Sequence, residues 1–229
     1  MPVARSIIPL FPLGSVLYPG LALPLHIFEQ RYRLLVSHLS DGETDVERSF
    51  GVVAIRAGHE VGAASVSSLH EVGTAAVLRR VTPYPDGRCD IVTRGSRRFR
   101  LHAVDDAMPY LRAEVEWLDE EVGDAQDLRR VAAEVRQRFG RYQALLGAGP
   151  DEAAGEDDLP LPQDETVLSY LVSAAMLLDL PDRQRLLAAD STSTRLGLLR
   201  ALLEREETVI RLLAAVPATD LLRDGLTLN

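Results

Sequence analysis

Apolar and polar positions follow two different rhythms in the two halves of this chain. Near the start, Phe28, Tyr32, Leu35 and Leu39 recur at helical spacing and leave Glu29, Gln30, Arg33 and Ser37 on the opposite face. That pattern predicts one helix, closed by Asp41-Gly42. Short strands are expected after it. Gly51 to Arg56 is a compact apolar run, and Thr74 to Tyr84 leads through Pro85-Asp86-Gly87 into Arg88 to Thr93, as a hairpin would. Gly95-Ser96 predicts another turn. Beyond it Phe99, Leu101 and Ala103 alternate with Arg98, Arg100 and His102, while Leu111, Ala113, Val115 and Trp117 alternate with Arg112, Glu114 and Glu116. Period-two segments of this kind predict a sheet with one buried and one wet face, in a closed or sandwiched β domain.

From residue 119 the period becomes helical. Asp124 is placed as the N-cap of a helix carrying Leu128, Val131, Val135, Phe139, Tyr142 and Leu145, with Gly147 as its stop. Residues 147–165 read as an acidic, flexible Gly/Pro-rich loop. Glu165 to Leu180 is apolar nearly all round and is expected at the centre of a bundle. Pro181-Asp182 opens a short helix ending near Ala189. A last helix from about Ser193 to Val216 sets Leu196, Leu199, Leu203, Ile210 and Leu213 along one stripe. The expected organisation is therefore α+β: a β-rich lobe over 1–118 with one inserted helix, then a helical bundle lobe over 119–229.

Charge sharpens this division. The net charge of −9 in 229 residues is carried almost wholly by residues 119–165, with 13 acidic side chains against 5 arginines, whereas residues 1–118 balance at 13 of each. The apolar stretch over 7–28 follows Arg5 as a signal peptide might. Pro9, Pro12, Pro19 and Pro24 interrupt it, so no continuous apolar region forms, and a soluble, cytoplasmic chain without a membrane span is expected. The single cysteine, Cys89, allows no internal disulfide.

Composition also constrains the chemistry. All 25 basic residues are arginine. Without lysine there is no Walker A lysine, no Schiff base and no Ser-Lys dyad, and Gly58 and Gly62 read as turn glycines rather than a phosphate loop. No G-x-S-x-G elbow presents a serine nucleophile. His26, His38, His59, His70 and His102 are scattered without zinc-ligand spacing, and Cys89 lacks an activating base. No catalytic residue, metal or cofactor is expected. One basic cluster remains: Arg79, Arg80, Arg88, Arg94, Arg97, Arg98 and Arg100 face only Asp86 and Asp90 over residues 79–100. Such a cluster could hold phosphates. The acidic chain and the lack of interleaved aromatics favour instead pairing with the acidic residues after 118.

The stretch IPLFPLGSVLYPGLALPLHIFEQRYRLLV resembles the opening of the LON domain, the substrate-binding N-terminal domain of ATP-dependent Lon proteases. The likeness continues through Phe50-Gly51-Val52-Val53, Gly73-Thr74-Ala75, Pro85-Asp86-Gly87-Arg88, Gly95 with Arg98-Phe99, and Pro109-Tyr110-Leu111-Arg112-Ala113. It ends in Arg183-Gln184-Arg185-Leu186-Leu187 followed by Arg195-Leu196. The resemblance implies a PUA-like, β-barrel-like lobe followed by helices. It also implies a stand-alone recognition domain without the ATPase and protease parts, and so a non-catalytic module for an unfolded or specific protein partner. Tyr18, Pro19 and Leu21, with Glu29, Gln30 and Arg33, are the first candidates for that contact. The plainer reading places Tyr18 and Leu21 in the core. Two other readings stay open: RNA binding through Arg94, Arg97, Arg98 and Arg100, and a small-ligand or enzymatic cleft between the lobes.

Overall fold

The computed structural model describes residues 5–56, 68–147 and 161–215. Gly58, His59 and Gly62, most of the acidic 147–165 loop, and Val216 lie outside them. Six strands and five helices follow in the order β1 (Arg5–Leu13), β2 (Ala22–Ile27), α1 (Gln30–Ser40), β3 (Ser49–Ala54), β4 (Val72–Pro83), β5 (Cys89–Asp105), β6 (Arg112–Trp117), α2 (Ala125–Leu146), α3 (Glu165–Ala175), α4 (Leu180–Leu187) and α5 (Thr192–Ala215). The class is α+β, with β1 and β2 both inside the proline-rich opening.

The sheet runs β2-β5-β4-β3-β1-β6, and β6 also pairs with β5. It thus curls back on its longest strand. It is barrel-like but not the closed domain that the alternation suggested, because β2 ends it as an edge strand. β1 and β3 are parallel and the remaining pairs antiparallel. Gly95-Ser96 is not a turn, since β5 passes through it unbroken from Cys89 to Asp105. Gly95 marks a shift of register against β4, where its N–H bonds the Leu21 carbonyl and its carbonyl accepts from Gly20. A Cβ there would lie 2.3 Å from the Tyr18 carbonyl oxygen. The glycine permits a close backbone approach rather than a reversal.

Both faces of the sheet are covered. Leu10, Val53, Leu69, Phe99, Leu101, Ala113 and Val115 form one core inside the curl. On the other face Phe11, Phe50, Val52, Ala76, Leu78 and Ile91 pack against Tyr32, Leu35, Val36 and Leu39 of α1. A strand buried on both sides reads as a continuous apolar run, which accounts for Phe50–Ala54 lacking alternation. Gly51 and Gly73 leave room for the Phe99 ring, and a Cβ on Gly73 would come within 2.4 Å of it. Phe28, assigned to the apolar stripe of the helix, lies before its first turn and is 63% exposed.

Two compact units emerge: residues 1–121 with 173–190, and residues 122–172 with 191–229. A single cut after 118 would leave 173–190 with the helices, whereas its contacts tie it to the sheet. The Gln184 amide donates to the Val72 carbonyl at 2.8 Å, and the Tyr18 hydroxyl donates to the Arg183 carbonyl at 2.9 Å. The helix expected from Glu165 to Leu180 stops at Ala175. Residues 176–179 leave the helix, and extended Asp179 caps the next one by accepting from the Asp182 N–H at 2.9 Å, with Pro181 in its first turn.

In the second unit α2 follows its expected stripe, with Leu128, Val131, Val135, Phe139 and Tyr142 buried and Leu145 half-buried. Ion pairs Arg200–Glu134 and Arg138–Glu204 set α5 alongside α2 in the same direction. Leu196, Leu199 and Leu203 of α5 are buried, but Ile210 is half-buried and Leu213 exposed, so the stripe loses its cover towards the end of the helix. Arg195 is wholly buried, stacked 4.0 Å from the Tyr170 ring and donating to Ser169 Oγ at 3.0 Å.

Candidate functional site

Six residues were expected to share one contact surface, and they do not. Tyr18 is 1% exposed and acts as an internal anchor. Pro19 and Leu21 are half-buried in the turn that Gly20, at φ 83°, fastens to Gly95. Glu29 is half-buried and accepts from Arg31 Nε at 2.8 Å. Gln30 and Arg33 are exposed on α1, beside Arg31, Leu34 and Pro109, around a depression of about 600 Å³. The Arg33 guanidinium lies over the turn at Gly87, the glycine of the Pro85-Asp86-Gly87 hairpin.

The arginine cluster is not a bare basic face. Arg79 makes two 3.0 Å bonds to Asp45, Arg88 pairs with Asp86, and Arg94 donates to the Gly20 carbonyl. Arg97 reaches Asp119 at 2.6 Å and stacks 5.6 Å from the Trp117 ring. Arg98, expected on the wet face, is 3% exposed and donates to the carbonyls of Leu187 and Ala189 at 2.9 and 2.6 Å, with Glu120 at 3.1 Å. Arg100 is half-buried and Arg80 exposed. Pairing with acidic residues after 118 therefore holds for Arg97 and Arg98.

The described histidines are dispersed too. His26 Nδ1 lies 2.6 Å from Asp90, which also accepts from the Tyr84 hydroxyl. These bonds, Tyr84's first and His26's second, hold the Asp90 carboxyl below the usual aspartate range. His102 contacts Glu116 at 2.9 Å and His38 contacts the Tyr110 hydroxyl at 3.0 Å. Burial, reinforced by Arg56, lowers the His70 pKa, and burial pushes the Cys89 thiol up. Among the described residues no three of His, Cys, Asp and Glu are grouped to hold a metal ion, and no helix is long and apolar enough to cross a membrane.

A groove of about 610 Å³ opens along β1 instead, and of its lining residues only Arg79 and Arg97 belonged to a cluster that the sequence singled out. Ser6, Ile7, Ile8 and Pro9 form one bank; Asp45, Val46, Glu47 and Ser49 form the other; and Ala75, Val77, Ser96, Arg97 and Trp117 also line it. Ile7 is 67% and Val46 82% exposed. Its origin is local. β1 pairs with β3 from Leu10 onward, Leu10 opposite Gly51, whereas Arg5–Pro9 pair only with β6 among the described strands. Successive N–H groups of an extended strand point to opposite edges. The Leu10 N–H bonds Leu111 on the β6 side and the Leu13 carbonyl bonds Ile55 on the β3 side, so position 9 also faces β3. Proline there has no N–H to give, and the ladder ends. The apolar Val46 isolated within Asp41–Ser49 was the one sequence signal of this surface.

The family model for the ATP-dependent protease La (LON) substrate-binding domain matches residues 7–205. Lon protease 2 of Syntrophobacter fumaroxidans is 29% identical over 198 residues, which is 86% of this chain and 24% of that protein. Lon protease of Escherichia coli is 26% identical over 204 residues, 88% of this chain and 25% of the protein. The chain thus spans about a quarter of the length of these relatives. Among solved structures, the N-terminal domain of a Mycobacterium avium complex Lon protease superposes with a TM-score of 0.63 at 16% identity, covering 87% of this chain and 98% of that one. A Lon N-terminal domain protein from Xanthomonas campestris gives 0.58 at 23%, covering 93% and 99%. With its fold and nearly all its described length matched, the chain belongs to the LON substrate-binding domain family.

Proposed function

We propose that this protein is a non-catalytic module that binds protein partners through exposed, non-native segments. One observation carries the reading: a family match to a substrate-binding domain across residues 7–205. An open apolar groove beside β1 gives it a physical basis, since clustered exposed apolar side chains on a folded surface mark an interaction site. RNA binding is supported less well, because five of the seven clustered arginines already have partners. The test is fluorescence anisotropy with labelled α-lactalbumin, native or reduced and carboxymethylated. Saturable binding of the unfolded form alone is expected; equal affinity for both forms, or none for either, would overturn the proposal.

A further inference from the structure

We infer that the β1 groove takes an extended, apolar, non-acidic peptide segment as an added strand on the free edge of Arg5–Pro9, a mode of recognition that rests on the protein-binding reading above. Three observations converge. First, by the alternation fixed at Leu10 and Leu13, the N–H and carbonyl of Ile7 point to the β3 side, where Ile7 has no ladder partner among the described residues. A strand with one unpaired edge can accept another chain by main-chain hydrogen bonds. Second, residues of both parities of β1, Ser6 and Ile8 as well as Ile7, line the groove. A groove that follows the edge of a strand has this lining, and one lying on a face does not.

Third, the groove has no free cation among the described residues. Its ionic side chains are Asp45, Glu47, Arg79 and Arg97. Arg79 and Asp45 neutralise each other, and Arg97 is held by Asp119. Glu47 accepts the backbone N–H groups of Glu43 and Thr44 at 2.9 and 3.0 Å, and these bonds, Thr44's foremost, keep its carboxyl below the usual range. An anionic occupant would find no free counter-charge there and would meet the Glu47 carboxylate, whereas apolar side chains meet Ile7, Val46, Val77 and Trp117.

The experiment measures amide hydrogen exchange of the full chain with a short, end-blocked, fluorescein-labelled peptide of alternating valine and serine. At saturation the Ile7 amide should slow by about a hundredfold, whereas Ile8, already facing β6, should change little. Val46→Arg and Ile7→Arg, both at exposed positions, should weaken peptide binding about tenfold or more without altering the fold. Methylating the peptide nitrogens on alternate residues in either register should weaken it similarly, because strand addition uses those donors. An unchanged Ile7 rate under saturating peptide, or full affinity in both arginine variants, overturns the groove. If carboxymethylated α-lactalbumin still binds in that case, the protein-binding reading survives without it. If the wild-type chain binds neither ligand, both fall.

Discussion

A guanidinium withdrawn from water needs acceptors, and Arg98 finds two main-chain oxygens and the Glu120 carboxylate for its terminal nitrogens, while its Nε–H has none among the described residues. Truncation leaves two carbonyls without their donor and takes the guanidinium away from Glu120. Arg98→Ala should therefore cost about 3 kcal/mol in urea denaturation, with partial recovery in Arg98→Lys, since an ammonium cannot reproduce the planar fork. A loss under about 1 kcal/mol would mean that water replaces these bonds. Asp90 offers a prediction in pH. Its folded-state pKa is depressed by the bonds from Tyr84 and His26. Its contribution is thus present above the unfolded aspartate value of about 3.9 and is lost as pH falls through the lower folded value. Asp90→Asn should lose stability at neutral pH and show a flatter acid limb, read from melting temperature between neutral pH and strong acid. The site is exposed, so the difference should be small and should shrink in high salt.

Helix boundaries here depend on single acceptors. Asp179 caps α4 through the Asp182 N–H, with Pro181 in the first turn. Asp179→Ala should cost about 1 kcal/mol, and Asp179→Ser should restore most of it; thermal melts compare the two. Elements with a single covered face were legible in the sequence. β6 alternates because one face meets the inner core, and α2 keeps its stripe because one side is covered. Elements covered on several sides were not. β5 pairs with β2, β4 and β6, so Gly95 reads as a turn although it serves a close crossing, and Arg98 reads as outward although residues 173–190 cover it. The groove was invisible for a related reason. Pro9 opens it only because its ring nitrogen faces β3 rather than β6, and that parity is fixed by tertiary pairing.

At the scale of the whole molecule, chain order and compact units disagree, and the disagreement predicts how the protein can be divided. Residues 173–190 belong to the same unit as residues 1–121, although 51 residues of the other unit separate them. The tie consists of main-chain oxygens satisfied by side-chain donors: Gln184 to Val72, Tyr18 to Arg183, and Arg98 to Leu187 and Ala189. Each neutral bond contributes about 1 kcal/mol and those of the buried arginine more. Their sum, with the burial of Leu186 and Leu187, is comparable to the roughly 5–15 kcal/mol that stabilises a typical domain. A fragment of residues 1–121 should consequently keep much of its strand content in far-ultraviolet circular dichroism but melt at a much lower temperature than the whole chain, or without a cooperative transition. Supplying residues 173–190 in trans as a peptide should raise that temperature in a concentration-dependent way, as binding to the native form alone requires. Cooperative melting of the bare fragment at the temperature of the whole chain would instead make 173–190 a passenger on a self-sufficient sheet, and the four bonds incidental to its stability.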